Sequence, residues 1–180
     1  MLLEHIARTV WLLIPAYTPN NFAVLVGGGT PIDLGRNFVD GKRILGDGKT
    51  YRGFVGGIAG GVFAANLQYG IEKALGLRVY ASLPYGEFFG LTLLLAFGAM
   101  LGDSLGSFIK RRFGYERGAS FPIIDQLAFL FVALLVASFS SGFWKLFTYD
   151  VIVAAVVLTP LLHVSVNYIA YKLNLKEVPW

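Results

Sequence analysis

Cysteine is absent from the 180 residues, which excludes disulfides, thiolate nucleophiles and cysteine-ligated metals. Charge is scarce as well: Asp, Glu, Lys and Arg make up 14% of the chain, against roughly 25% in an ordinary globular protein. What fills the gap is apolar, with 56% hydrophobic residues and a mean hydropathy of +0.63. The few charges are clustered, so water is not the only solvent this chain meets. A formal net charge of +4 raises a nucleic-acid or anionic-lipid partner. The distribution of the charges follows membrane topology, so no nucleic acid is expected. A cleavable signal peptide is not expected either, because Glu4 and His5 dilute the start and Pro15, Asn20 and Asn21 interrupt the first apolar run.

The length suits one domain, and the apolar residues fall into stretches approaching the roughly 20 residues that a bilayer core requires of a helix. They predict an all-α integral membrane protein of about five transmembrane helices, with residues 1–180 as a single transmembrane domain. The first stretch, residues 6–27, carries Pro15, Pro19, Asn20 and Asn21 and is expected to be kinked or broken. The second, residues 53–71, places Gly56 four before Gly60 and Gly57 four before Gly61. That spacing lets helices approach closely, within one subunit or between two. The third covers residues 88–109, the fourth 123–143, and the fifth 151–171 with Pro160, His163 and Asn167 inside it. His163 and Asn167 read best as interhelical hydrogen-bonding groups.

Orientation follows from Lys and Arg. Residues 28–52, residues 110–122 and the C-terminal tail hold eleven of them, against four on the other side. The two basic loops and the C-terminus are therefore expected in the cytoplasm, with the N-terminus outside. The connection at residues 28–52 is long for a structureless loop, and such loops are usually functional or disordered. Asp33, Asp40 and Asp47 interleaved with its bases favour an ordered functional one.

The most informative residue is Asp103, a carboxylate at membrane depth, where an acid is costly and normally serves function with a partner. Ser107 lies four residues on, Lys110 seven, and Arg111 four beyond Ser107, so one helix face displays an acid, a hydroxyl and two cations. Asp125 follows Pro122 at the start of the fourth span. By itself it could simply complement a helix N-terminus. With Asp103 it forms a plausible pair for Mg²⁺, which favours one or two carboxylates plus substrate phosphates. In the first loop, Lys49, Thr50 and Arg52 supply donors suited to phosphate oxygens. The Gly48-Lys49-Thr50 run is not a Walker motif, because Asp47 follows Gly46 where a lysine is required and no strand precedes it.

The run Gly102-Asp103-Ser104-Leu105-Gly106-Ser107-Phe108-Ile109-Lys110-Arg111-Arg112, then Arg117-Gly118, Pro122 and Asp125-Gln126, resembles the signature region of membrane CTP:phosphatidate cytidylyltransferases. The shared part is Ser-x-x-Lys-Arg with a downstream Asp; the His-Gly-Gly and Asp-Arg-x-Asp pattern of the longer members is missing. The smaller archaeal branch, the CDP-archaeol synthases, fits better over residues 31–126, including Asp40-Gly41-Lys42-Arg43-Ile44-Leu45-Gly46-Asp47-Gly48-Lys49-Thr50-Tyr51-Arg52-Gly53. The resemblance implies Mg²⁺-dependent transfer of a cytidylyl group from CTP to an isoprenoid ether lipid phosphate in the cell membrane. It also implies roles: Asp103 and Asp125 for the metal; Lys49, Thr50, Arg52, Lys110, Arg111, Arg112 and Arg117 for phosphates; Asp47 for the nucleotide or a neighbouring cation; Ser107 for a phosphate.

Two other readings compete. A CDP-alcohol phosphotransferase would need Ala-Arg after Asp-Gly, but Lys42-Arg43 follow Asp40-Gly41. A small transporter or channel would need polar residues through to the far side, yet those here gather at one membrane end.

Overall fold

The computed structural model describes residues 2–116 and 119–173. Its regular elements are α1 (Leu2–Val26), α2 (Tyr51–Leu75), a 3-10 turn (Tyr80–Ser82), α3 (Tyr85–Arg112), α4 (Ile124–Ala137), the single-turn α5 (Phe143–Leu146) and α6 (Tyr149–Lys172). No strand occurs among the described residues; Pro31 bridges Thr50 and Asn37 bridges Arg43 as isolated pairs. Helices α2 and α3 and residues Tyr149–Ile169 of α6 are long and apolar enough to cross a bilayer, and α4 is a shorter apolar helix. This is the architecture of an integral membrane protein. α1, α3 and α6 run toward the end of the bundle that carries residues 27–50, the basic end, and α2 and α4 run away from it.

The expected break in the first span does not occur: α1 is one helix with Pro15 and Pro19 inside it. A proline leaves the carbonyl four residues earlier without its helical donor and crowds that turn. Gln68 Nε2 donates to the Trp11 O freed by Pro15 at 2.9 Å, so a side chain of α2 replaces that lost backbone donor, as membrane helices require. One residue on, Tyr80 OH of the 3-10 turn donates to Leu12 O at 2.6 Å and ties the turn to α1. The fourth span also differs from expectation. α4 stops at Ala137, and a turn through Ser138–Gly142 re-enters the bundle as α5, burying Phe143, Leu146 and Phe147.

Apolar burial gives helices little drive to associate in lipid, so close packing must supply it. Gly57 and Gly61 lie between α1 and α3, where an added Cβ would stand 2.8 Å from Pro19 O and 3.0 Å from Pro15 O respectively. Gly98 and Gly102 of α3 press on α4 in the same way, with 2.7 Å to Ala133 Cα and 2.6 Å to Phe129 Cα. The glycine pairs of α2 therefore serve packing inside the subunit. Away from the basic end the bundle is filled by Leu12, Leu13, Tyr80, Phe88, Leu91, Phe143 and Phe147. Glu72 sits fully buried there, accepting from Trp11 Nε1 at 2.6 Å, Val79 N at 3.0 Å and Ala81 N at 2.7 Å. Three donors satisfy the acid and tie α1, α2 and the 3-10 turn together.

Candidate active site at the basic end

The long loop is ordered around Asp33, whose side chain is shut off from solvent. It accepts from Arg43 Nη2 at 2.8 Å, Gly46 N at 2.8 Å, Leu45 N at 3.0 Å and Gly35 N at 3.1 Å. Arg43 above all, with the backbone donors behind it, holds the Asp33 carboxyl well below the usual carboxylate range, outweighing the opposite pull of burial. Residues 45–49 are thereby fixed over the end of α3. Arg112 latches the same loop from the other side. Its guanidinium lies 4.9 Å from the Phe38 ring centre and 4.7 Å from that of Phe108. It also pairs with Asp40 at 3.2 Å and donates to the Lys42 and Arg43 carbonyls.

With the loop in place, two lysine–carboxylate pairs face one cavity. Lys49, from the loop, donates to Asp103 of α3. Lys110, two turns further along α3, holds both oxygens of Asp125 of α4 at 2.9 Å and donates to Ala119 O. Phe121 N donates to the same carboxylate at 2.9 Å, which fixes the entry to α4. Ile123, between them, has φ +72°, a left-handed conformation that costs a β-branched residue energy and is found where surrounding contacts impose it. Arg111 reaches over Gly46 toward Leu45 O and donates to Tyr115 O.

The cavity measures about 760 Å³ and is bounded by α1, α3, α4, α6 and the loop. Lys49, Asp103, Ser107, Lys110, Arg111 and Asp125 line its charged part. Val10, Val24, Ala128, Phe129, Leu162 and Val166 line its apolar part. Tyr17 OH lies 2.8 Å from Thr159 Oγ1; Thr159 gives its own proton to Ala155 O, so Tyr17 donates. This bond links α1 to α6 across the cavity. α6 buries Val151, Ala155 and Thr159, but no described side chain beyond Thr159 is buried. Its outer half stands off the bundle and leaves the cavity a side facing lipid. A second, shallower pocket of about 430 Å³ lies outside the loop, lined by Lys42, Arg43, Asp47, Arg111, Tyr115 and Glu116 among others. Arg111 borders both.

The face read along α3 is therefore real: Asp103, Ser107, Lys110 and Arg111 all line one cavity with Asp125 and Lys49. Other expected phosphate ligands are placed elsewhere. Thr50 is buried, caps α2 by accepting from Gly53 N at 3.1 Å, and does not line the cavity. Arg52 is exposed on the first turn of α2 and does not line the cavity. Arg112 points away from it because one residue along a helix turns the side chain by about 100°. Asp47 is two-thirds exposed and pairs with Arg43 at 2.7 Å at the outer pocket. Arg117 lies outside the described residues. Asn20, Asn21 and Thr159 line the cavity and were not singled out as site residues; their polarity inside apolar spans was the available signal.

A membrane-embedded helical enzyme site, with cations and acids at one end and apolar walls below, is what geometry defines. The family model described as CarS-like, CDP-archaeol synthase, matches residues 2–180. A CDP-archaeol synthase of Archaeoglobus fulgidus is 72% identical over 179 residues, spanning 99% of this chain and all of the relative. That of Methanospirillum hungatei is 48% identical over 172 residues, spanning 93% of this chain and all of the relative. A solved structure of an intramembrane enzyme for archaeal membrane lipids biosynthesis aligns with TM-score 0.71 and 35% identity, covering 88% of this chain and 91% of the other. The chain belongs to the CDP-archaeol synthase family and is a cytidylyltransferase of archaeal lipid synthesis.

Proposed function

We propose that this protein transfers the cytidylyl group of CTP to an unsaturated archaetidic acid, an isoprenoid ether-linked glycerol phosphate, giving CDP-archaeol and pyrophosphate. The observation that carries this reading is the joining, in one cavity, of two lysine–carboxylate pairs and apolar walls open toward lipid. A nucleoside triphosphate and a lipid phosphate repel each other, so cations must offset that repulsion where they meet. The protein works as a single transmembrane domain of about five crossings, in the cell membrane, with the basic end and its site facing the cytoplasm. The excess of Lys and Arg at that end supports this orientation.

In the reaction an oxygen of the lipid phosphate attacks the α-phosphorus of CTP in line. The new P–O bond forms as the bond to the bridging α–β oxygen breaks, and pyrophosphate leaves with the electron pair. No strong general base is needed, since the attacking phosphate is already ionised. Lys49, Lys110 and Arg111 bind and orient the phosphates, and Ser107 offers a hydroxyl to one of them. Each lysine rests on a carboxylate in the ligand-free arrangement and exchanges it for a phosphate oxygen.

No cluster of three or more His, Asp or Glu that could hold a metal occurs among the described residues. The donor set instead fits Mg²⁺ arriving with the nucleotide, which commonly takes one or two carboxylates and completes its shell with phosphates and water. Asp103 and Asp125 would hold it, and it would supply neutralisation of the triphosphate charge. The test is lipid product formation by purified protein in detergent with labelled CTP, Mg²⁺ and an archaeal-type ether lipid phosphate. Mg²⁺-dependent CDP-lipid and pyrophosphate, lost in Asp103→Asn, support the reading. Turnover that survives Asp103→Asn would remove the metal assignment, and absence of nucleotide binding under all conditions would remove the enzyme assignment.

A further inference from the structure

The connection from α3 to α4 reverses direction between two fixed ends. On the near side, Phe121 stacks on Tyr115 with ring centres 4.6 Å apart, and its ring centre lies 5.7 Å from that of Phe113. On the far side, α4 is pressed on α3 at Gly102 and Gly106. Pro122 and Ile123 are the two residues between Phe121 and Ile124, the first residue of α4. The ring of Pro122 locks its own φ at about −65°, so the reversal falls to Ile123. Its φ of +72° and ψ of −56°, with Ile124 N donating to Pro122 O at 2.9 Å, describe a γ-turn of the rare, strained hand. A β-branched residue is poorly suited to positive φ, because its Cβ crowds the backbone.

Packing of the side chain does not offset that strain, since Ile123 is two-thirds exposed. The side-chain ties across the turn come from the ionic pair of the site. Lys110 donates to Ala119 O on the near side and to both oxygens of Asp125 on the far side. The Asp125 carboxylate reaches back to accept from Phe121 N at 2.9 Å. An ammonium and a carboxylate thus staple together the two ends of a strained piece of backbone. Strain of this kind persists where the surroundings impose it. A phosphate oxygen is a strong competitor for the Lys110 ammonium, and taking it would open the staple.

We propose that Ile123 is a positioning residue for Asp125: its strained turn offsets part of the stability of the Lys110–Asp125 pair, so that an incoming phosphate takes Lys110 and releases the carboxylate at smaller cost. This rests on the reading of Lys110 as a phosphate ligand in cytidylyl transfer. Glycine would make the same turn without the strain, and the pair would then exchange less readily.

The experiment sets Ile123→Gly, Ile123→Ala and Ile123→Val beside the wild type, full-length in detergent. It reads the unfolding temperature without ligand, and steady-state kinetics with CTP and an ether-linked isoprenoid glycerol phosphate. Ile123→Gly is expected to unfold about 2–4 °C higher. Its KM rises about three- to tenfold for the substrate whose phosphate takes Lys110, with kcat held. Ile123→Val and Ile123→Ala keep a Cβ, and with it most of the strain, and stay near the wild type. With Asp125→Asn the staple is broken, so adding Ile123→Gly no longer raises the unfolding temperature. An Ile123→Gly protein that unfolds at or below the wild-type temperature, or a rise that persists with Asp125→Asn, overturns the proposal. So does an unchanged KM for both substrates, or an Ile123→Ala enzyme as impaired as Ile123→Gly, since the exposed side chain rather than φ would then matter. A wild type that transfers to no lipid phosphate overturns the underlying reading instead, and the unfolding temperatures still decide whether Asp125 holds the turn.

Discussion

The ammonium of Lys49, carried by a loop, hydrogen-bonds the carboxylate of Asp103, set within a membrane-spanning helix 54 residues later. The loop therefore completes the site rather than merely covering it. Replacing Lys49 by Met strands a half-buried carboxylate and removes a phosphate ligand. Turnover is expected to fall by about two orders of magnitude, the scale of losing one preorganised electrostatic contact. Asp103→Asn should fall at least as far. Steady-state rates with labelled CTP check both; a Lys49→Met enzyme within a few-fold of wild type would detach the loop from the chemistry.

Asp33 makes stability depend on pH in one direction. Its folded-state carboxyl titrates well below the usual range because of Arg43 and the backbone donors. Its contribution is therefore fully present above the unfolded value of about 3.9 and is lost as the pH falls from there toward the folded value. Asp33→Asn removes this contribution and flattens that part of the profile. Thermal unfolding in detergent between about pH 3 and pH 6 reads it out, and parallel profiles for the two proteins would contradict the assignment.

Gly102→Ala drives a methyl group to 2.6 Å from Phe129 Cα, which is backbone and cannot yield locally. A cost of about 1–3 kcal/mol is expected from overpacking. A matching loss of activity should follow, as α4 carries Asp125 away from Lys110. Gly90→Ala on the same helix meets nothing within 4 Å, and should be neutral or stabilising by about 0.5–1 kcal/mol. Unfolding midpoints of the two variants, measured together, should separate, that of Gly102→Ala falling while that of Gly90→Ala holds or rises.

Glu72→Gln keeps the shape but turns one acceptor into a donor facing the N–H of Trp11 or those of Val79 and Ala81. Hydrogen bonds to a charged acceptor contribute about 1.5–3 kcal/mol, and a loss of that order is expected. Trp11 emission, recorded with Trp144 and Trp180 changed to Phe, should shift to the red. Unchanged emission and midpoint would show that the acid is not the clamp.

Arg112→Lys should behave as a loss despite keeping the charge. A lysine cannot stack between Phe38 and Phe108 while also reaching Asp40 and two carbonyls. Faster proteolysis within residues 36–48, with KM for CTP raised before kcat falls, is the expected pattern. Identical digestion of the two proteins would argue against a latch.

The sequence made the helical membrane architecture and the α3 face readable, because hydropathy and a spacing of three or four residues act locally. Which acid each lysine meets was not readable. Lys49–Asp103 and Lys110–Asp125 are tertiary pairs, and Asp103 and Asp125 looked alike as lone carboxylates near a basic end. Pro15 and Pro19 read as a kink or break because the donor that serves the carbonyl freed by Pro15 lies on another segment, in Gln68. Thr50 read as a phosphate donor, and its acceptor role at the start of α2 became visible only in the backbone geometry. Arg112 read as a third cation beside Lys110 and Arg111, but a single residue of helical phase turns it onto the loop.

The start of α4 lies opposite Gly106, where Ile124 Cγ2 comes to 3.7 Å of a would-be side chain, six residues short of the last residue of α3. At 1.5 Å per residue that is a notch about 9 Å deep in the rim of the protein. On the cytidylyl-transfer reading, a nucleotide arriving from water and a lipid phosphate arriving from the bilayer are expected to meet at that depth. Neither substrate has to leave its own phase to meet the other. Membrane thickness thereby becomes a variable of the reaction: bilayers built from longer chains should bury the notch and slow turnover without touching a single residue.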